Sequence, residues 1–581
     1  MSSKELFGAS VFFEKAKMLE KVQNVNLGAG VFFVLHPPTE RRMANEAPRT
    51  PPGGSPGRPR SPGTALRESP YSNCFLGALD TGLRGLLFPS YWLVSQLLAL
   101  KQTTAEKGKR CPPHALLVLA KGPILVLLLL LSIPVSLLAF LVWLPLQTAR
   151  RPFAYQHTPS QAQPEEWVLP GKDKTFSFVT SNICLLPEGL ARFSNLAHTE
   201  WRAKHIAQQL TKAVARRPSA LLHKPSSAEG GGTPGRKKYG AMEPSPPRAY
   251  QSLPRGDADV TIEFLQEEEE EEEGKAPALG EISARFPAGV DFLCLQEVFD
   301  LWATAHMRRL LAPCYEHIIY DVGAYGLVGC SALKVLNSGL FLASRYPVLA
   351  VQYHCYPNGT GEDAFAAKGL LSVQVQLGAS QGQRIVGYVN CTHLHAPEPD
   401  AQIRCDQLSL GLLWAQLFQD AHTQPGDVVA FNVYCGDLNF DNCSSGDEME
   451  QGHEIFSLYT DPCRVGPRKD KPWAIGTLMD YLEIYQEDVS TPENMKRTLE
   501  QVSGREKYLA GPVLANGDPD PSATSSEGRR IDYILYREHP GPVELKTAVE
   551  KVYFITQLAT CSDHLPVGLR LHLTSSAQPD A

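Results

Sequence analysis

The chain has 581 residues, with 55 Lys and Arg against 62 Asp and Glu for a formal charge of −7, and 43% of it is hydrophobic. It is too long for one ordinary core, so we expect one large domain plus segments that do not fold compactly. The apolar share is that of a globular protein, and the acidic balance argues against nucleic acid as a partner.

Residues 1–66 end in a Pro, Gly and Arg-rich stretch from Pro51 to Gly63, which lacks the apolar surface to fold and is expected to be disordered. Glu5, Glu14 and Glu20 make the opening neither a clean secretory signal nor a clean transit peptide. Residues 67–152 read as a membrane-associated region with hydrophobic segments at about 85–100 and 115–146. At about 1.5 Å per residue, Gly122 to Leu146 exceeds a hydrocarbon core of about 30 Å, whereas the first segment is short for a span. Pro89, Pro123, Pro134 and Pro145 are expected to interrupt both. Basic residues flank every end: Arg67 and Arg84, then Lys101, Lys107, Lys109 and Arg110, then Arg150 and Arg151. A single crossing strands one cluster on the wrong side, so two re-entrant or interfacial wedges fit better than one true span. Leu125–Leu131 has no polar face, which argues against a buried core helix, and Cys74 and Cys111 are candidate palmitoylation sites.

From Thr175 the texture becomes that of a layered α/β domain, within a catalytic region placed at 153–575. Trp201, Ile206, Leu210 and Val214 recur at helical spacing. Residues 216–279 read as a disordered insertion whose acidic run, Glu267–Glu273, is a solvated spacer. Strands are predicted at Phe176–Ile183, Val290–Leu295, Leu340–Ala343, Leu371–Val375, Ile385–Cys391, Val428–Cys435, Ile531–Leu535 and Leu565–Leu571. Thirteen cysteines without a Cys-x-x-Cys pair predict reduced, cytosol-facing thiols, and the sequons at Asn358, Asn390 and Asn442 are expected to be chance triplets.

Nearly every predicted strand ends in a polar residue, which is where a layered sheet aims side chains into one cleft. Asn182 ends the first strand and Glu297 follows the second; His393, then Asp437 and Asn439, then Asp532, then Asp563 with His564 occupy later ends. Hard oxygen donors without cysteine suit Mg²⁺, with Glu297 the first choice of ligand. Histidines beside a metal and carboxylates suit attack of water on phosphorus. His395, His354 and His453 lack a strand-end context and are assigned to surface or core.

In order, Gln-Glu, Thr-His-Leu, Gly-Asp-x-Asn, Arg-Ile-Asp-Tyr and Ser-Asp-His resemble the endonuclease/exonuclease/phosphatase superfamily. The stretches Phe292–Asp300, Thr392–Pro397, Cys435–Ser445 and Lys471–Thr477, with Phe88–Val94 and Pro145–Pro152 in the anchor, look like the vertebrate membrane-bound neutral sphingomyelinases. The short insertion looks most like the mitochondria-associated member of that group. The resemblance covers Ser69 to Leu573. It implies a four-layer α/β/β/α sandwich of the DNase I-like type behind an N-terminal hydrophobic membrane anchor. It also implies Mg²⁺-dependent hydrolysis of sphingomyelin to ceramide and phosphocholine, with Mn²⁺ as a possible substitute ion. Matched by position, Glu297 would hold Mg²⁺ with Asn182, and Asp563 would join the outer shell. Asn439 would contact the phosphate, and His564, oriented by Asp532, would act as general base. Asp437 would position the water, and His393 would stabilise phosphoryl charge or assist the leaving oxygen. Asp363 and Lys368 match a gating acid and lysine on a mobile loop. Phosphatidylserine or cardiolipin would activate the enzyme through Lys101–Arg110 and Arg150–Arg151. The domain would face the cytosol at the endoplasmic reticulum or mitochondrial membrane, with Golgi or plasma membrane as the alternative. A nuclease or inositol-phosphate phosphatase on the same scaffold, and an inactive membrane scaffold, are the competing readings.

Overall fold

The computed structural model describes residues 66–108, 114–159, 164, 166–169, 173–215, 279–328, 332–380, 382–523, 527–539 and 545–575. The expectations for residues 1–65, for Cys111 and for the insertion up to residue 278 lie outside them. Everything described belongs to one compact unit.

Two long helices come first, α1 (Cys74–Leu98) and α2 (His114–Leu146). Both run unbroken through their prolines, contrary to the sequence expectation. The helices pack on each other, and hydroxyls stand beside two of the four prolines: Ser90 Oγ is 2.7 Å from both Ser132 Oγ and Ser136 Oγ, and Ser136 Oγ donates to Leu86 O. These hydroxyls tie the two helices to each other beside Pro89 and Pro134. The first helix also starts well before residue 85. Hydropathy misses its opening turns because of Asp80 and Arg84, yet Asp80 is buried, accepting from Trp143 Nε1 and Gln147 Nε2 at 3.1 Å and from Arg84 Nε at 2.7 Å. Asp80→Ala would strand the buried Nε1 of Trp143 in α2 and remove one of the acceptors of Gln147 Nε2; we expect a loss of about 2 kcal/mol, measured as a lower Tm in detergent micelles.

The stretch His114–Ala149 is the one helix among the described residues that is long and apolar enough to cross a bilayer. Its outward face is apolar and exposed, from Leu116 and Leu119 to Leu141 and Val142. The hairpin's other side rests on the following domain: Tyr91 OH donates to Asp300 Oδ2 at 3.0 Å, Phe88 meets Trp302 edge-on, and Ser95 Oγ accepts from Gly189 N at 3.0 Å. Arg150, expected to meet anionic lipid, is instead enclosed, donating to Asp321 Oδ2 and Asp321 O at 2.7 Å and to Gly323 O at 2.9 Å. A carboxylate and two carbonyls engage both terminal nitrogens in place of water, so this charge holds the joint together.

The strands that follow are β1 (Ala154–His157), β2 (Trp167–Leu169), β3 (Lys174–Asn182), β4 (Gly280–Ser283), β5 (Phe292–Gln296), β6 (His317–Tyr320), β7 (Gly326–Val328), β8 (Ala332–Lys334) and β9 (Phe341–Ser344). After them come β10 (Val348–Cys355), β11 (Gly369–Ser380), β12 (Gln383–His393), β13 (Val428–Asp437), β14 (Arg464–Gly466), β15 (Lys469–Asp470), β16 (Asp532–Arg537), β17 (Leu545–Ile555) and β18 (Val567–Ser575). One sheet has the order β1-β6-β9-β5-β3-β18-β17-β4, the other β10-β11-β12-β13-β16 with β2 beside β11. Their inner faces meet over Phe178, Phe292 and Phe431, whose ring centroids lie 5.0–5.6 Å apart. Alternation along each strand sends the next residues outward: Leu293 and Leu295 pack under α3 (Thr199–Ala215) and α4 (Leu301–Leu311), and Tyr388 under α5 (Ala401–His422). The result is the four-layer α/β/β/α sandwich.

Candidate active site

Strand register collects the polar ends. β3 runs parallel to β5 with Asn182 opposite Gln296, so Glu297 lies one residue beyond. β12 runs parallel to β13 with His393 opposite Asp437, and β13 runs antiparallel to β16 with Asp437 opposite Asp532. β18 pairs with β3 through Val567 and Thr180, delivering His564 to the same end. Two glycines permit the close approaches. A Cβ on Gly436 would stand 1.9 Å from Thr392 O, and one on Gly339 would stand 2.9 Å from the Glu297 backbone. Glu297 and Asn439 themselves hold left-handed backbone at φ 58° and 55°, the kind of local strain that collects at functional sites.

His564 Nδ1 lies 2.9 Å from Asp532 Oδ2, a buried dyad that fixes the ring and leaves Nε2 for chemistry. Burial pulls the imidazole down, but the carboxylates of Asp532, Asp437 and Asp563 more than reverse this and hold it well above its ordinary value. Burial pushes Asp437 up, opposed by His564 and aided by Asp532. His393 is buried, its Nε2 3.4 Å from Asp437 Oδ2. Burial and then the Lys368 charge keep it well below its ordinary value, so it is a neutral hydrogen-bonding ring rather than a cation.

Asn182 donates through Nδ2 to Glu297 Oε1 at 2.9 Å and to Asp437 Oδ2 at 3.0 Å, while its oxygen accepts from Cys184 N at 3.1 Å. It therefore orients the two carboxylates, and its oxygen, which accepts one hydrogen bond, keeps a second lone pair for the ligand role expected of it. Glu297 is raised by burial and then by the charge of Asp563, and Asp563 Oδ1 is buried without a hydrogen-bond partner among the described residues. Two mutually repelling carboxylates, one with an orphaned oxygen, suit a hard divalent cation such as Mg²⁺. Asn439 accepts no strain for nothing: its N–H donates to Asp437 Oδ1 at 2.9 Å and its Nδ2 to Leu394 O at 3.0 Å.

Lys368 Nζ donates to Asp363 Oδ2 at 2.8 Å and to Leu394 O at 2.9 Å, linking the loop before β11 to the end of β12. Burial raises Asp363, but Lys368 and then His395 hold it well below its ordinary value. His395, assigned from sequence to surface or core, is fully buried here with Nε2 2.8 Å from Asp400 Oδ2 and Nδ1 3.2 Å from Asp363 Oδ2. Its spacing two residues beyond His393 was the available signal. Thr477 was also missed as an individual residue: its Oγ1 accepts from Ile531 N and Asp532 N, and its carbonyl from Leu565 N, tying both halves of the dyad. It ends the quoted Lys471–Thr477 stretch.

Residues 75–149 match the neutral sphingomyelinase N-terminal transmembrane region, and residues 262–564 match the endonuclease/exonuclease/phosphatase family. The chain is 40% identical over 565 residues to sphingomyelin phosphodiesterase 5 of Danio rerio, covering 88% of this chain and 99% of that one. It is 42% identical over 514 residues to sphingomyelin phosphodiesterase 5 of Mus musculus, covering 88% and 95%. The chain belongs to the sphingomyelin phosphodiesterases. Sphingomyelin phosphodiesterase 3 of Homo sapiens is 37% identical over 651 residues, covering 88% of this chain and 99% of that one. Like other sphingomyelin phosphodiesterases the protein is a hydrolase of phosphodiesters, and its anchor region associates it with membrane.

Proposed function

We propose that the protein hydrolyses sphingomyelin to ceramide and phosphocholine at the cytosolic face of an internal membrane, with Mg²⁺ as its ion. The observation that carries this reading is the convergence of Glu297, Asp437, Asp532 and His564 at one sheet end, in a domain resting on an apolar helical hairpin. The hairpin brings the site to lipid rather than to a soluble phosphodiester such as DNA. Glu297 would hold Mg²⁺, with Asp563 in its outer shell; the ion, where Mn²⁺ could substitute, supplies Lewis-acid stabilisation of phosphoryl charge. His564 takes a proton from water, whose oxygen attacks phosphorus as the bond to the ceramide oxygen breaks, and a proton from solvent or from the protonated imidazole completes the ceramide hydroxyl. Asp437 positions the water, Asn439 contacts the phosphate, and neutral His393 offers a hydrogen bond to the phosphoryl or departing oxygen. Asp363 and Lys368 close the loop over the site. Exposed Lys101 and Lys107 would draw the enzyme to anionic lipid such as phosphatidylserine or cardiolipin.

Phosphocholine release from sphingomyelin in mixed micelles is expected with Mg²⁺, lost with EDTA and restored by added Mg²⁺. Release from phosphatidylcholine but not sphingomyelin would reject the substrate, and EDTA-resistant release would reject the ion.

A further inference from the structure

His157, Glu316 and His317 lie at the edge of the larger sheet, and none belongs to the catalytic set. β1 pairs antiparallel with β6 so that His157 and His317 are direct cross-strand partners, which puts both imidazoles on one face. Their rings lie 4.9 Å apart at 15°. Glu316 Oε1 is 2.8 Å from His157 Nε2, and one donor atom from each of the three residues lies within 4.8 Å of the others.

His317 is 6% exposed, and its Nε2 has no hydrogen-bond partner among the described residues. Native structures leave few buried polar atoms in this state, and each asks for a ligand or another cause. Its other nitrogen, Nδ1, lies 2.7 Å from Tyr155 OH, which fixes the ring and leaves Nε2 as the nitrogen available to a ligand. A metal-bound imidazole is oriented in the same way, by a hydrogen bond to the nitrogen that does not ligate. The His157 side chain is 42% exposed, so it is free to tilt out of the ring stack and turn Nε2 to a shared ion.

We infer that His157, Glu316 and His317 form a binding site for a zinc-type divalent cation, with a fourth position left to water. Two imidazoles and one carboxylate match the open His₂Glu set that zinc takes, whereas Mg²⁺ prefers an all-oxygen shell. Burial, opposed by Glu316 and aided by His157, lowers His317 to about 4, so the ring is neutral at cellular pH. The ion would join β1, the strand that leaves the membrane hairpin after Arg150 and Arg151, to the edge of the catalytic sheet.

The test uses the full chain in detergent micelles with excess Mg²⁺, titrated with Co²⁺ as a spectroscopic substitute and displaced with Zn²⁺. We expect one equivalent with the visible absorption of a tetrahedral nitrogen and oxygen site, displaced by Zn²⁺ with a rise in Tm. His157→Ala should lose that equivalent, and Glu316→Gln should weaken binding at least tenfold, while phosphodiesterase activity in Mg²⁺ persists in His157→Ala. Undiminished stoichiometry in His157→Ala would overturn the site. So would a sulfur-to-cobalt charge-transfer band, which would place the ion at Cys294, Cys391 and Cys435, whose thiols converge inside the sandwich.

Discussion

Replacing His564 with Ala is expected to lower phosphocholine release by about 10³-fold or more at saturating Mg²⁺, because it removes the proposed base, which the Asp532 carboxylate orients. Loss of activity alone would not separate chemistry from misfolding, so Asp532→Asn is the sharper variant. It keeps the shape of the dyad and removes the charge that raises His564. The imidazole must be neutral to accept a proton, so its raised pKa sets an acidic limb to kcat/KM in the wild type. Without the Asp532 charge the imidazole pKa falls, and the limb should move to lower pH by roughly one to three units, on top of a lower plateau. An unmoved limb in Asp532→Asn would show that another group is the base.

Most of this site was legible because the chain alternates short β-branched runs with polar ends, and a sheet converts that pattern into one row of side chains. Val428–Cys435 was readable as a strand because both faces are covered and the run is almost wholly apolar, and Phe176–Ile183 because its Phe, Val, Thr and Ile favour strand even though half of the run is polar. β10 and β17 were not. Their half-exposed faces admit Gln352 and His354, or Lys546, Glu550 and Lys551, which dilute the apolar signal. The dyad could be expected from motif order, but the tie between its halves through Thr477 depends on long-range register. The docking of the hairpin was illegible for the same reason. Arg150 reads from sequence as a basic flank for lipid, and only the fold reveals Asp321 as its partner. Nothing in the sequence marks Gly189, where a Cβ would stand 2.4 Å from Ser95 O.

That docking bears on how the proposed metal site should respond to mutation, since Asn182, Cys184 and Gly189 belong to one continuous segment between Glu297 and Asp437 on one side and α1 on the other. Glu297→Gln keeps the volume of the side chain and, with its amide oxygen toward Asn182 Nδ2, the hydrogen bond, while removing the charge that repels Asp563. Without metal, the variant should therefore unfold at the same temperature as wild type or higher, because burying an ionised carboxyl beside another is costly. With Mg²⁺, wild type should gain stability through binding to the folded state, whereas the variant should gain little, and its phosphocholine release should fall by about 10³-fold. Opposite signs for stability and activity identify a residue whose charge is retained for the ion. A variant with the wild-type Mg²⁺ dependence of both Tm and turnover would move the ligand away from Glu297, leaving Asp563 and Asp437 as the carboxylates to replace next.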